Sequence, residues 1–493
     1  MSVASDLLLA DRLVPSRVQE LLRPYGFADA LRADANLQAM AADPDARRAL
    51  ATLLPGVLEA AGASADPDEA LSRLERFVTA SGSASRTFSH LRADPRMTDV
   101  LLRSFGASPF LAEVLIRHPG WMYWLSEPGV LARARTTRDV AADVRAATAS
   151  LGDLDRRRAA LRLAKRREAL HAGVRDTMRL SSVAETLLAL SDAADALIEA
   201  ALSVARAEVP GGPAAFAVLA LGKLGGRELN FSSDVDLVYV YEDDDAAAAE
   251  ALARALTQAL HDVTDEGHVY RVDLRLRPEG GAGRVACPAA AFTSYYAARG
   301  ATWERLALLK ARPVAGDREL GRRCLEETAA FVFDRPFDAG ARGDVRALKR
   351  QIDARLAARS ETDRHVKLGR GGIREIELCA QVLQLQFGER QAALRARGTV
   401  EALDALHVLG VLAQPEHRAL TDAYAFLRDV ENKLQMVADA QVHVLPRDPA
   451  ELRRLALKLG LRDRGPVTAE EALRAEYARR TDAVHRAFLR IVG

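Results

Sequence analysis

Cysteine is nearly missing from this 493-residue chain: Cys287, Cys324 and Cys379 show neither an even count nor metal-ligand spacing. A disulfide framework and a cysteine-based zinc site are excluded, and the three read as reduced thiols packed as small hydrophobes. Aromatic residues are scarce at 5%, whereas Ala, Leu and Arg abound, a mixture that favours helix. A surplus of charge is missing too. Sixty-nine basic against 68 acidic residues leave +1, while a general nucleic-acid binder needs a strong basic excess. No nucleic acid is therefore expected as a partner. No window reaches the ~18 uninterrupted apolar residues of a membrane span. The opening MSVASDLLLADRLVPSRVQELL has no cationic start before a long apolar run, so no secretory leader is expected. These absences together predict a soluble protein of the cytoplasm with no membrane partner.

What is present is an ordinary globular composition, 49% hydrophobic and 28% charged. The length exceeds what one hydrophobic core organises and predicts about three domains. Residues 1–170 read as helix after helix. DPDEALSRLERFVTASG opens with acidic residues, places Leu71, Leu74 and Val78 at helical spacing, and stops at a glycine. SPFLAEVLIRHPGWMYWLSEP does likewise, with Ser108 as N-cap and Pro109 at the first helical position. Such faces serve mainly as packing surfaces, although Trp121 and Trp124 are suited to anchor a protein partner. Between 171 and 335 the texture changes. A long helix (SSVAETLLALSDAADALIEAALSVARAEV) leads to the apolar run AAFAVLALG, then DVDLVYVYE, a helical stretch over 246–264, and HVYRVDLRLRPEGGAG. Strands and helices mixed in this way predict an α+β core. From 336 to 493 leucine and valine recur at three- and four-residue intervals, which predicts a helical bundle.

The chemistry concentrates in GKLGGRELNFSSDVDLVYVYE, Gly222 to Glu242. Side chains alternate along a strand, so Asp234 and Asp236 share one face and Val235, Leu237, Tyr239 and Tyr241 the other. Carboxylates are poor strand formers and costly to bury without a partner. The same rule predicts a strand over Tyr270–Arg277 with Arg271, Asp273, Arg275 and Arg277 on one face. If the two strands are neighbours, Asp234, Asp236 and Asp273 converge, and such a trio suits Mg²⁺. Arg275 and Arg277 then meet the remaining phosphate charge. Gly225 and Gly226 allow the backbone to approach a phosphate, and RELN reads as a helix start with free N–H groups. A lone D-x-D is often only a solvated turn. Here the Gly-Gly pair, the run Ser232-Ser233-Asp234-Val235-Asp236 and the third aspartate occur together, and the combination points to in-line phosphoryl or nucleotidyl transfer.

Two further motifs carry cations. In WERLALLKARPV a helix should end before Pro313, leaving Lys310 and Arg312 either to bind a phosphate or to complement the helix dipole. In HVKLGRGGIREIELCAQVLQLQ, glycines precede a helix, so Lys367, Arg370 and the helix N-terminus form a candidate anion site rather than a plain turn. Glu375 and Glu377 are expected to pair with arginines, and His268 and His365 to be structural.

LGKLGGRELNFSSDVDLVYVYE together with VDLRLRPEG resembles the polymerase-β-type nucleotidyltransferase fold as it occurs in the glutamine synthetase adenylyltransferases, over roughly residues 85 to 445. The resemblance implies a mostly helical α+β protein: a nucleotidyltransferase core at 171–335, flanked by a helical domain at 1–170 and a helical bundle at 336–493. Members of that family hold two such domains in one chain, one removing AMP from a tyrosine of glutamine synthetase and one adding it. SYYAARGATWERLALLKARPVAGD and VKLGRGGIREIEL resemble the removing half, with Arg374 and Glu375 standing where the adding half has Val and Asp. A Met and a helical region ahead of the core fit the same half. The implied activity is Mg²⁺-dependent phosphorolysis that releases ADP, with Asp234, Asp236 and Asp273 as ligands. The implied partners are glutamine synthetase and the nitrogen-regulatory PII protein. Alternatives are ATP-dependent adenylylation, a non-catalytic docking module, or a polynucleotide-type transferase, the last disfavoured by the neutral charge.

Overall fold

The apolar run that follows the glycine–proline turn at 210–213 forms β1 (Phe216–Ala220), every residue of it buried. β2 (Val235–Tyr241), β3 (Val272–Asp273), β4 (Ala286–Pro288) and β5 (Arg312–Gly316) complete one sheet in the order β3-β2-β1-β5, with β4 also on β2. The computed structural model describes residues 5–9, 13–242, 245–438 and 441–493; part of the opening stretch read for a leader lies outside them. β1 runs antiparallel to β2 and β5, whereas β2 is parallel to β3 and β4. Parallel neighbours need a crossover, and the helix Ala246–His261 supplies it. The chain is thus α+β and mostly helical, as expected.

Both faces of the sheet are covered. Val235, Leu237, Tyr239 and Tyr241 pack with the helices Val183–Glu208 and Ala246–His261. Val238 and Val240, on the face of Asp236, lie under the C-terminal helices. That face is polar only at the start of β2, which accounts for the near-continuous apolar character of the strand. The expected strand over Tyr270–Arg277 shrinks to two residues. Past Asp273 the chain turns: the Arg275 backbone N–H donates to Asp273 Oδ1 at 2.8 Å, and the Arg277 N–H to the Leu274 carbonyl at 3.3 Å. An aspartate that captures a backbone N–H two residues on competes with the ladder and ends it.

Side-chain caps start several of the helices. Asp66 Oδ1 accepts the Glu69 N–H at 3.1 Å ahead of Pro67–Ala80. Ser182 and Glu185 form a capping box ahead of Val183–Glu208. Ser108 caps Pro109–Arg117 through the Leu111 N–H and donates its own hydroxyl to the Met436 carbonyl at 2.6 Å, tying the N-terminal helices to the C-terminal ones. The helical run expected across residues 108–127 is two helices, Pro109–Arg117 and Trp121–Ser126, parted around Pro119. Trp121 stacks on His118 at 4.4 Å, and the Arg167 guanidinium lies 4.1 Å from the Trp124 ring, so both indoles have partners within the chain. Among the described residues no helix is long and apolar enough to cross a membrane.

Candidate functional site

β2 and β3 set the site by their register, which places Asp236 directly opposite Asp273. Asp234 precedes β2 by one residue, on the same side as Asp236. Each carboxylate has a different environment. Asp234 Oδ1 accepts Arg271 Nε at 2.6 Å, and Arg271 also reaches the Ser232 carbonyl at 2.9 Å. Asp273 holds Arg275 through Nε at 3.0 Å and Nη2 at 2.5 Å, and that contact keeps its carboxyl below the usual range. Among the described residues the Asp236 carboxylate makes no hydrogen bond or ion pair. Burial, with Asp273 and Asp234 adding like charge, pushes it up to about 6, while Lys367 and Arg374 act in the opposite sense.

No three such side chains among the described residues are already gathered as a cage, since two of the aspartates are turned to arginines. The donor set nonetheless fits a hard divalent cation. Asp236 is half-buried beside two other carboxylates and, among the described residues, has no cation within hydrogen-bonding distance. Gly222 faces this carboxylate at φ 55°, and a Cβ there would overlap Asp236 Oδ2. Gly222→Ala is expected to lower kcat by on the order of tenfold or more, through backbone strain and displacement of Asp236. Steady-state kinetics beside a circular-dichroism melt check this, and an unchanged kcat would remove Gly222 from the site.

The two glycines singled out in the sequence do other work. A Cβ on Gly225 would overlap the Lys310 carbonyl, and Gly226 packs against the Arg397 carbonyl. Both permit close chain packing. RELN is not a helix start: only Gly222–Gly225 is helical, and Arg227–Asn230 leaves it as a turn and extended chain. This segment is held by the helix Gln414–Ala438. Arg428 donates to the Glu228 carbonyl and, at 2.7 Å, to Asn230 Oδ1. Asn230 donates to Asn432 Oδ1 at 2.5 Å, and Gln435 Oε1 accepts the Ser232 N–H at 3.2 Å. Lys223 bridges Asn230 Oδ1 at 2.6 Å and Glu431 at 2.9 Å, and burial pushes its ammonium down to about 7. Ser233 Oγ accepts the Asn230 N–H at 3.2 Å, closing the turn ahead of Asp234. Sequence reading missed Arg428, Glu431, Asn432 and Gln435. Their i, i+3, i+4, i+7 spacing, which lines four polar side chains along one strip of the helix, was the available signal.

Several expected phosphate ligands are spent elsewhere. Lys310 is buried, its ammonium on Glu228 at 2.7 Å and Thr399 Oγ1 at 3.0 Å. Arg312 forks onto Asp195 at 2.7 and 2.8 Å and caps the Leu224 carbonyl at 2.9 Å. A buried cation needs such partners, which leaves these two as internal ties. Arg277 braces the loop through the Leu274 and Gly283 carbonyls, and Arg370 pairs with Asp482. The helix Ile373–Phe387 offers no free N-terminus, because the Ile373 and Arg374 N–H groups donate to the Val366 and Lys367 carbonyls at 3.0 and 2.8 Å. From that motif Lys367 is left with an ammonium that forms no hydrogen bond or ion pair among the described residues. Arg374 lies beside it electrostatically; its Nη1 is 3.3 Å from Glu377, and its Nε is buried without a partner. Glu377 pairs with Arg374 and Lys310, while Glu375 takes Lys349 at 2.9 Å and His485 at 3.0 Å rather than an arginine. His365 is structural, accepting the Leu368 N–H.

Comparison with known proteins bears on this site as a whole. Residues 98–327, which hold the sheet and all three aspartates, match the family described as glutamate-ammonia ligase adenylyltransferase, and the match places the chain among the nucleotidyltransferases. Over these residues the chain belongs, within that class, to the glutamate-ammonia ligase adenylyltransferase family. Residues 346–492 match the family described as GlnD PII-uridylyltransferase. The bifunctional glutamine synthetase adenylyltransferase/adenylyl-removing enzyme of Rhizobium meliloti is 39% identical over 81% of this chain and 43% of its own length. The Streptomyces avermitilis protein of the same description is 36% identical over 96% of this chain and 46% of its own. The chain spans less than half the length of these relatives.

Proposed function

We propose that this chain removes AMP from the adenylyl-tyrosine of glutamine synthetase by Mg²⁺-dependent phosphorolysis, releasing ADP in the cytoplasm. The reading takes residues 171–335 as a polymerase-β-like nucleotidyltransferase core between a helical domain at 1–170 and a helical bundle at 336–493. Its main support is the register of Asp236 on Asp273, with Asp234 beside them and Gly222 leaving room for the Asp236 carboxylate. An oxygen of inorganic phosphate bonds to the α-phosphorus while the bond to the tyrosine oxygen breaks. The proton carried by the attacking hydrogen phosphate passes through water to the departing phenolate, and AMP and phosphate become ADP. With a phenol pKa near ~10 the leaving group needs no strong acid, so positioning and charge supply most of the catalysis. Mg²⁺ on Asp234, Asp236 and Asp273 would neutralise and orient the phosphate oxygens.

Removal is favoured over addition by Arg374 and Lys367, which bring cationic charge to the Asp236 side of the site. Phosphorolysis must bring a second anion up to the adenylyl phosphate, and two cations lower that cost. The PII-uridylyltransferase match over 346–492 supports the PII protein as a second partner. The test incubates the chain and Mg²⁺ with glutamine synthetase radiolabelled on its adenylyl group, with and without phosphate. Labelled ADP should appear only with phosphate. Transfer of label from ATP to unmodified glutamine synthetase, without release, would reverse the direction, and binding without either activity would leave a docking module.

A further inference from the structure

A second cluster of cations lies away from the aspartates, in a cleft where the N-terminal helices meet Gln414–Ala438 and Pro449–Lys458. The cleft encloses about 50 Å³ with no carboxylate among its described lining residues, although Arg179, Lys433 and Lys458 also face an adjoining cleft of about 560 Å³ that Asp176, Asp422 and Asp429 line. Two of its cations are already neutralised: Lys433 by Asp176 and Asp429, and Arg103 by Asp99. Three are not. Among the described residues the Arg179 guanidinium and the Lys458 ammonium make no hydrogen bond or ion pair, and Arg462 reaches only the Leu457 and Leu461 carbonyls at 2.9 Å. Two hydroxyls in the lining, Ser64 Oγ and Thr177 Oγ1, are buried without a partner, and Ser64 is only 7% exposed. Arg179 holds its place at φ 56°, over Gly460, where any Cβ would overlap its guanidinium.

Arg179 and Arg462 are exposed and Lys458 is half-buried, so water still reaches these charges, whereas a buried hydroxyl without an acceptor is costly. Three cations beside two such hydroxyls suit a ligand rich in acceptors and negative charge. Burial, with Arg73 and Arg454 adding like charge and Asp66 opposing them, pushes Lys458 down to about 8, and burial, Arg179 and Arg103 lower Arg462. We propose that this cleft is a binding site for a compact phosphate dianion, free or borne on a small ester, held by Arg179, Lys458 and Arg462 with Ser64 and Thr177 as hydroxyl donors. The site stands apart from the reading of the aspartates and does not depend on it. Lys433 and Met436 meet the cleft on a different face of Gln414–Ala438 from the stripe that holds the loop before Asp234.

Calorimetry and thermal unfolding of the full chain test this with phosphate, sulfate and AMP against NaCl at equal ionic strength. A saturable response to phosphate or sulfate identifies the free ion, and a response to AMP alone identifies the ester; either supports the site where Asp236→Asn retains it and the cleft variants weaken it. Lys458→Gln with Arg462→Gln should weaken that response at least tenfold, and Lys458→Gln alone severalfold. Without anion, the double variant should melt at or above the parent, since repulsion is relieved. Asp236→Asn should keep the response. Loss in Asp236→Asn with retention in the double variant would put the phosphate at the aspartates and overturn the cleft site while sparing the proposed reaction. An equal response to NaCl, or a double variant that melts well below the parent, would also overturn it.

Discussion

Asp234→Asn combined with Asp236→Asn is expected to lower phosphorolytic turnover by on the order of 10³-fold while leaving the melting temperature at or near the parent's. A divalent ion at a phosphoryl centre supplies several kcal/mol of transition-state stabilisation, and about 4 kcal/mol corresponds to a thousandfold in rate. Losing two of the three carboxylates removes that contribution. The stability side has two opposing parts. Asp236 is a half-buried carboxylate pressed by Asp273 and Asp234, so an amide in its place relieves repulsion. Asp234→Asn loses the ion pair to Arg271, whose side chains are 36% and 31% exposed, a type of pair contributing about 0–1 kcal/mol. The two changes roughly offset. Single-turnover release of labelled ADP, measured beside a thermal melt, decides the matter. Retained turnover would remove the aspartates from the chemistry, and a melt lowered by many degrees would make them structural.

Lys310→Met is expected to destabilise the protein by about 3–5 kcal/mol, the usual cost of breaking a buried ion pair from one side. Burial disfavours the Lys310 charge, yet Glu228 and Glu377 more than offset this and hold its pKa above the ordinary lysine value. Without the ammonium, Glu228 and Glu377 face each other's charge in the interior, and Thr399 loses a partner. Urea unfolding should show the midpoint falling clearly, and Glu228→Gln added to Lys310→Met should recover part of the loss, because the two changes act on one pair. The opposite pattern, an unchanged midpoint with a raised KM for phosphate, would return Lys310 to the role its motif suggests in isolation.

Lys310, Arg312, Arg370 and Lys367 show why cations in similar motifs diverge. All four stand near glycine, helix ends or other cations in the sequence. Lys310 meets Glu228, Arg312 meets Asp195 and Arg370 meets Asp482, whereas among the described residues Lys367 meets no carboxylate closely enough to pair. Each of these partners is supplied by a distant part of the chain. Local pattern records that a cation is present, and distant chain decides whether it is neutralised. The clamp on the Gly222–Ser232 segment is similar: the polar stripe on Gln414–Ala438 is visible by periodicity, but its target lies some two hundred residues earlier.

Short-range physics was legible directly. Asp66, Ser108 and Ser182 announce helix starts because a side-chain oxygen can reach an N–H two or three residues on, and β1 and β2 announce themselves as apolar runs bounded by turn residues. The shared side of Asp234 and Asp236 follows from the period of two alone. Only the tertiary structure decided that β3 lies parallel beside β2 with Asp273 opposite Asp236, that it ends after two residues, and that the C-terminal helices cover the rest of that face. Strand pairing and ion pairing are settled by which distant surfaces can be buried together, and periodicity along one segment carries no record of its neighbour.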